Sequence, residues 1–285
     1  MISATRYRAQ AAINRQSSLG QQIAKLEESV SSGKRIVRPS DDPTAATRVA
    51  EIRQAQSDQT VYTHNANTGI SISSVADTKL ASVATILDRA KDLVLKGRND
   101  TSSAADRTSI ANELRDMAND VVTLSQDNDP TGRPLFPTTE PTRIPVSDTL
   151  SIPATASRDA VFNKLTTAKG TQSISDILND AADALEQTDE TLRGPGIQTS
   201  IESISTASGH IISIQSDQGV RAKRFDDAKD QIASNGDALT EERSSLEDTD
   251  LTYALADFQA KQLALQAAQT VYAQGNKTSL FDLLG

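Results

Sequence analysis

The sequence predicts a mainly α protein: an elongated bundle of long, antiparallel, coiled-coil-like helices with a small β-rich insertion. Three observations predict it. Apolar residues recur at heptad spacing in the first and last parts of the 285-residue chain. Six of the nine prolines cluster at 130, 134, 137, 141, 145 and 153, and proline interrupts helix because it lacks the N–H and clashes with the preceding turn. The chain is 36% hydrophobic and 3% aromatic, with no Trp. That composition fills a narrow seam between helices more readily than a rounded core.

Each element can be justified in order. Leu19, Ile23, Leu26 and Val30 fall on one stripe of a first helix, which Gly33 ends. Asp42-Pro43 opens a second helix, Asp42 as cap and Pro43 in the first turn, where its missing N–H costs nothing. It runs to about Lys96 with Ile72, Ile86 and Leu93 on one heptad line and Gly69 as a weak point. Ile110, Leu114, Met117, Val121 and Leu124 form the seam of a third helix. Turns and short strands are expected from Pro130 to about Gly170. Ile174, Leu178, Ala181 and Leu185 make a short stripe, after which Gly194-Pro195-Gly196 reads as an interhelix turn.

The longest pattern follows. Ile197, Ile204, Ile211, Gln218, Phe225, Ile232, Leu239 and Leu246 are each seven residues apart. Gln218 either sets register or marks an irregularity, and Asn235-Gly236 suggests a kink. The third helix is expected to pack against this run. A last series comprises Leu251, Phe258, Leu265 and Tyr272, with Leu255 beside it. The organisation is therefore an N-terminal assembly segment at 1–43, a helical core at 44–129, the insertion at 130–170, the second half of the core at 171–245, and a C-terminal assembly segment at 246–285.

The two ends are expected to pair. Residues 1–43 carry seven basic and four acidic residues, whereas residues 241–285 carry three and seven, and opposite charge favours side-by-side docking. Their stripes are sparse. Burying each apolar side chain contributes about 1.5–3 kcal/mol at best, while fixing each backbone residue costs about 1–2 kcal/mol. Both ends are therefore expected to be disordered in the monomer and helical once neighbouring subunits cover them. The candidate interface residues are Leu19, Ile23, Leu26, Val30, Arg35, Arg38, Leu251, Leu255, Phe258, Leu265, Tyr272, Leu280 and Phe281.

Other functions find little support. A net charge of −9 argues against a broad phosphate-binding face, so no nucleic acid is expected. No stretch approaches the ~18 apolar residues of a transmembrane helix, so no membrane partner is expected. Met1 to Arg15 lacks the apolar centre of a secretory signal. With no Cys, there is no disulfide framework or thiolate metal site. His64 and His210 have no ligand spacing, Asp41-Asp42 reads as capping beside Pro43, and Gly194-Pro195-Gly196 lacks the Lys of a phosphate loop. No nucleophile–base set can be assembled, so no catalytic residue, metal or cofactor is expected.

Several motifs carry a family resemblance. Ser32-Gly33-Lys34-Arg35-Ile36 followed by Arg38-Pro39-Ser40-Asp41-Asp42-Pro43 resembles the N-terminal signature of the bacterial flagellin family, in the form found in its hook-associated junction branch. Leu87-Asp88-Arg89-Ala90-Lys91-Asp92-Leu93 resembles a helical core segment of flagellins. Gly132-Arg133-Pro134-Leu135-Phe136 is similar to a junction-branch motif but departs from it at Pro134. Gly219-Val220-Arg221-Ala222-Lys223-Arg224 resembles the return into the C-terminal core, departing at Val220 and Lys223. Ser279-Leu280-Phe281-Asp282 looks like the junction branch's ending.

The resemblance implies a structural subunit of the extracellular flagellum that joins hook to filament and templates flagellin assembly, exported by the flagellar type III apparatus without a cleaved signal. It implies as partners further copies of the chain, the first hook-associated protein, flagellin and a cytosolic export chaperone. Two other readings are a flagellin filament subunit and, from heptads alone, a cytosolic coiled-coil adaptor.

Overall fold

The structure is a computed structural model. It describes residues 2–99 and 101–281, with side chains placed at 7, 9–99 and 101–274. Helices dominate: α1 (Ile2–Ser32), α2 (Pro43–Gly97), α3 (Ala104–Ser125), α4 (Ile174–Glu186), α5 (Glu190–Glu247) and α6 (Leu251–Phe281). Between α3 and α4 lie two antiparallel hairpins, β1 (Arg143–Pro145) with β2 (Ser151–Pro153), and β3 (Leu165–Thr167) with β4 (Gly170–Gln172). The chain is mainly α with a small β-bearing insertion, as the heptads and the proline cluster predict. It divides into two compact units, Asp58–Ser234 and Met1–Ser57 with Asn235–Gly285.

The unit of residues 58–234 holds the main core. Leu80, Val83, Leu87 and Val94 of α2, Leu114 of α3, Leu178 and Leu185 of α4, and Ile204, Ile211 and Phe225 of α5 are all fully buried in one cluster. Capping boxes set the starts of α3 and α4, where Ser103 pairs with Asp106 and Ser173 with Asp176. The close partner of α3 is α4, not the long heptad helix expected from the sequence. The reason is the width of the α4 stripe, since Ile174, Ile177, Leu178, Ala181, Ala182 and Leu185 are all buried. Arg115 of α3 closes the pair by bonding Asp183 at 2.8 Å and Glu186 at 2.7 Å.

Three punctuation marks read differently in three dimensions. Gly194-Pro195-Gly196 lies inside α5, not in a turn. The chain turns earlier, at Gln187–Asp189, where Asp189 Oδ1 accepts from the Thr191 backbone N–H at 2.9 Å and starts α5. Pro195 then sits on an exposed face near the free end of that helix, where one lost backbone bond is tolerated. Asn235-Gly236 is helical and belongs to α5. Gly69 is a requirement rather than a weak point: a Cβ there would lie 2.6 Å from Phe225 Cδ1, so only glycine admits the buried ring.

Gln218, the polar member of the heptad line, is 1% exposed and donates from Nε2 to the Ala154 carbonyl at 2.7 Å. Ser73 Oγ donates to the same oxygen at 3.3 Å. The insertion is thus pinned to α2 and α5 by its own backbone. Inside it, Phe136 and Phe162 pack edge to face at 5.2 Å, Phe162 being held on a π-helical turn at Asp159–Asn163.

α2 contains an 18-residue window of mean hydropathy 1.3, apolar and long enough to cross a membrane by that measure alone. This overturns the sequence expectation that no stretch approaches such a length. Its apolar side chains Leu80, Val83, Leu87 and Val94 instead serve the core.

Two substitutions test this packing by thermal unfolding. Gly69→Ala should destabilise the protein by about 1–3 kcal/mol through overpacking against Phe225. Gly209→Ala, at an α5 position with open space around it, should stabilise it by up to about 1 kcal/mol.

Candidate functional site

The second unit is built from α1, α6, the first fifteen residues of α2 and the last thirteen of α5. α1 and α6 lie side by side. On α1 a line of sheltered positions runs through Ala9, Ala12, Gln16, Leu19, Ile23, Leu26 and Val30 in a regular 3–4 alternation, with Ala11, Gly20 and Ser29 sheltered beside it. On α6 the sheltered positions are Ala254, Asp257, Phe258, Lys261, Leu265, Ala268 and Tyr272. Leu19, Ile23, Leu26 and Val30 thus lie in the seam together with Phe258, Leu265 and Tyr272. Leu251 and Leu255 do not, being 53% and 47% exposed. Leu251 belongs to the same seven-residue line as Phe258, Leu265 and Tyr272 but is the first residue of α6, and Leu255 lies beside that line. Leu280 and Phe281 lie outside the residues whose side chains are described.

The seam is only half closed. Within α1 and α6, Ser29 and Ala254 alone are fully buried among the described side chains. Tyr253, Leu263 and Val271 point outward at 74%, 68% and 69% exposure. With Ala256, Ala260 and Ala267 they form a second apolar stripe, so α6 is apolar on more than one side.

At one end of this unit the α1–α2 and α5–α6 connections clasp each other. The Arg35 N–H donates to the Glu247 carbonyl at 2.7 Å, and the Thr249 N–H donates to the Gly33 carbonyl at 2.9 Å. Gly33, with φ of 71°, ends α1 in the left-handed conformation that suits glycine and delivers its carbonyl to Thr249. Arg35 Nη2 reaches the Leu246 carbonyl at 2.6 Å. Below them the Glu247 carboxylate, 8% exposed, accepts from Lys34 Nζ and Arg53 Nη2, each at 2.6 Å.

A belt of polar contacts continues the clasp. Arg48 holds Glu242 in two bonds of 2.7 and 3.1 Å, and Lys25 holds Asp41 at 2.9 Å. Arg38 meets Glu28 at 3.2 Å. Asp42 caps α2 through the Ala45 N–H at 3.0 Å with Pro43 as first helical residue, and Asp250 caps α6 through Thr252 and Tyr253. Arg35 and Arg38 therefore make contacts within the chain.

Electrostatics follow the geometry. Burial by itself raises the Glu247 carboxyl, but the Lys34 hydrogen bond and the charges of Arg53, Lys34 and Arg243 outweigh it, and the group lies below its ordinary range. Asp41 is lowered chiefly by Lys25, and Glu242 by Arg48. Glu247, Arg53 and Arg48 were absent from the sequence-derived set. Glu247 follows the heptad residue Leu246 and reads as one more solvated acid, so no local pattern marks it as buried.

Among the described residues no cluster of three or more His, Cys, Asp or Glu side chains could hold a metal ion.

The helical region at the N-terminus of bacterial flagellins matches residues 4–139, and that at their C-terminus matches residues 201–284. The chain belongs to the bacterial flagellin family, whose members are components of the flagellum. Within that family the chain is 23% identical to flagellar hook-associated protein 3 of Escherichia coli, over 91% of the chain and 92% of that protein. It is 24% identical to the flagellin of Bacillus subtilis over 93% of both. Among solved structures, the flagellar junction protein FlgL of Legionella pneumophila matches with a TM-score of 0.56 and 13% identity, covering 70% of this chain and all of that one.

The clasp predicts a pH dependence. Because the folded Glu247 carboxyl lies below its ordinary value of 4.5, its stabilisation is present above that value and lost as pH falls through the folded one. Glu247→Gln should cost about 1–2 kcal/mol at pH 7, limited because Lys34 and Arg53 are half-exposed and rehydrate. In melting curves from pH 7 to 3, the gap between wild type and variant should close toward the acid end.

Proposed function

We propose that this chain is a structural, non-enzymatic subunit of the bacterial flagellum that forms the junction between hook and filament and templates flagellin assembly. The observation that carries the reading is the α1–α6 pair, whose apolar side chains are sheltered on one face and bare on another. Such a pair gains by burying its outer stripe against neighbouring subunits, because each apolar side chain removed from water contributes about 1.5–3 kcal/mol.

The near full-length likeness to hook-associated protein 3 and the fold of a flagellar junction protein favour the junction over the filament. The interface consists of Leu19, Ile23, Leu26, Val30, Phe258, Leu265 and Tyr272 in the seam, with Leu251 and Leu255 turned outward to neighbours. The half-closed α1–α6 pair formed by segments 1–43 and 246–285 becomes fully ordered only on assembly, and the subunits close into a ring or short helical layer. Its partners are copies of itself, the first hook-associated protein and flagellin. A cytosolic chaperone holds the C-terminal segment before export by the flagellar type III route.

A deletion strain should keep intact hooks and shed flagellin into the medium. If the purified chain instead grows long filaments unaided, it is a filament subunit. If intact protein is missing from sheared flagella, it is an intracellular adaptor.

The outward stripe gives a sharper test. Leu263→Asp should leave the melting temperature of the isolated chain within the shift caused by about 0.5 kcal/mol, since the side chain lies in water. It should nonetheless abolish motility and incorporation into flagella. Ile23→Asp, in the seam, should disturb both.

A further inference from the structure

The unit of residues 58–234 contains a cleft of about 310 Å³ between α2, the loop 129–137 and strand β1. We propose that it binds a small organic monocarboxylate with a compact aliphatic body. The walls are fixed before any ligand arrives. Asn65 Nδ2 donates to the Pro145 carbonyl at 2.9 Å, and Tyr62 bonds Asp148 near the tip of the β1–β2 hairpin. Thr155 Oγ1 donates to the Leu135 carbonyl at 2.7 Å, and Pro134, Pro137 and Pro145 stiffen the rim. Gly132, with φ of 81°, makes the tight turn that presents Arg133. The floor is apolar, with Ile72, Leu135, Ile144 and Ala154 each at most 8% exposed.

Among the charged side chains at this cleft cations outnumber anions, two guanidiniums against the one carboxylate of Asp129. The Thr hydroxyls at 68, 131 and 155 are spent within the chain, on the carbonyls of His64 and Leu135 and on Asp129. Asp129 Oδ1 already accepts from the Thr131 N–H, the Thr131 hydroxyl and the Arg133 N–H, at 2.8, 2.6 and 3.0 Å. Arg143 is held against Ser151 by Nε at 3.0 Å and Nη2 at 2.6 Å, which orients its guanidinium and leaves Nη1 over. The Arg133 guanidinium and the His64 ring make no hydrogen bond or ion pair among the described residues.

Arg133 and Arg143 thus line an apolar-floored cleft with a single carboxylate, Asp129, a surplus of one positive charge in a chain of net charge −9. A surplus of planar donors calls for an acceptor that bears charge, and a carboxylate matches guanidinium geometry. The cleft volume lies at the small end of ligand pockets, and its lack of aromatic side chains favours an aliphatic body over a flat ring.

The test titrates N-acetyl-leucine and its uncharged counterpart N-acetyl-leucinamide into isotope-labelled full-length protein, read by amide NMR shifts. The carboxylate should move the Thr131, Gly132 and Ile72 signals saturably, with a dissociation constant on the order of 1 mM. The amide should bind at least about fivefold more weakly, and Arg133→Gln should weaken the carboxylate about as much while leaving the melting temperature unchanged. Equal binding of the two probes, indifference to Arg133→Gln, or no shift at about 20 mM overturns the proposal.

Discussion

Each long helix of this chain must hide an apolar stripe against another helix, and the two units meet that demand unequally. In residues 58–234 the stripes of four helices converge with the insertion, and side chains such as Leu80, Leu114, Ile177 and Ile204 are fully withdrawn from water. In the unit of α1 and α6 the stripes meet chiefly one another. Seam residues such as Leu19 and Leu265 remain half-buried, and Tyr253, Leu263 and Val271 face solvent. The difference is one of partner number. A pair of helices offers each stripe a single neighbour, and two cylinders in contact shelter only the line between them. Additional copies of the same pair would supply the missing neighbours.

The Glu247 clasp works against that openness. Burying a lone carboxylate is costly, and burial alone would raise this one. Two cations at 2.6 Å reverse the sign. Both approach from half-exposed positions on stems that leave their charged heads partly hydrated, which keeps the cost of pairing low. The backbone bonds from Arg35 and Thr249 fix the two connections in register. α1 and α6 therefore leave a fixed corner side by side even where their own seam holds them weakly.

The balance of legible and illegible features has physical causes. Heptads and prolines sufficed for the fold class because periodic burial and the missing proline N–H are local rules. Capping by Asp42 and the glycine end at Gly33 were legible for the same reason. The neighbour of α3 was not, since the choice between α4 and α5 depends on how wide each facing stripe is once folded. Phe258, Leu265 and Tyr272 were placed in the seam from spacing. Leu251, on the same line, stays exposed at the first residue of α6, and Leu255 lies to one side of it, because α6 is apolar around more than one face and spacing does not say which of these side chains α1 covers. Gly69, Gln218 and Glu247 all looked like local defects or surface residues. Each is explained by a group far along the chain: the Phe225 ring, the Ala154 carbonyl, and the Lys34–Arg53 pair.

The uneven burial also explains why polar residues are tolerated in the terminal seam. Gln16 and Lys261 occupy sheltered positions of α1 and α6 that a closed coiled coil would fill with Leu or Ile. Gln16 spends its amide on the Ala268 carbonyl at 3.4 Å, and Lys261 pairs with Asp257 at 3.4 Å. Both contacts are long and, at half-exposed positions, of small net value. A fully apolar seam would bind α1 to α6 more tightly within one chain and leave less to gain from neighbours, because association is driven only by area still accessible to water. Polar residues in the inner seam, with Leu263 and Val271 on the outer face, leave the α1–α6 pairing weak within one chain and its outer apolar area open to water.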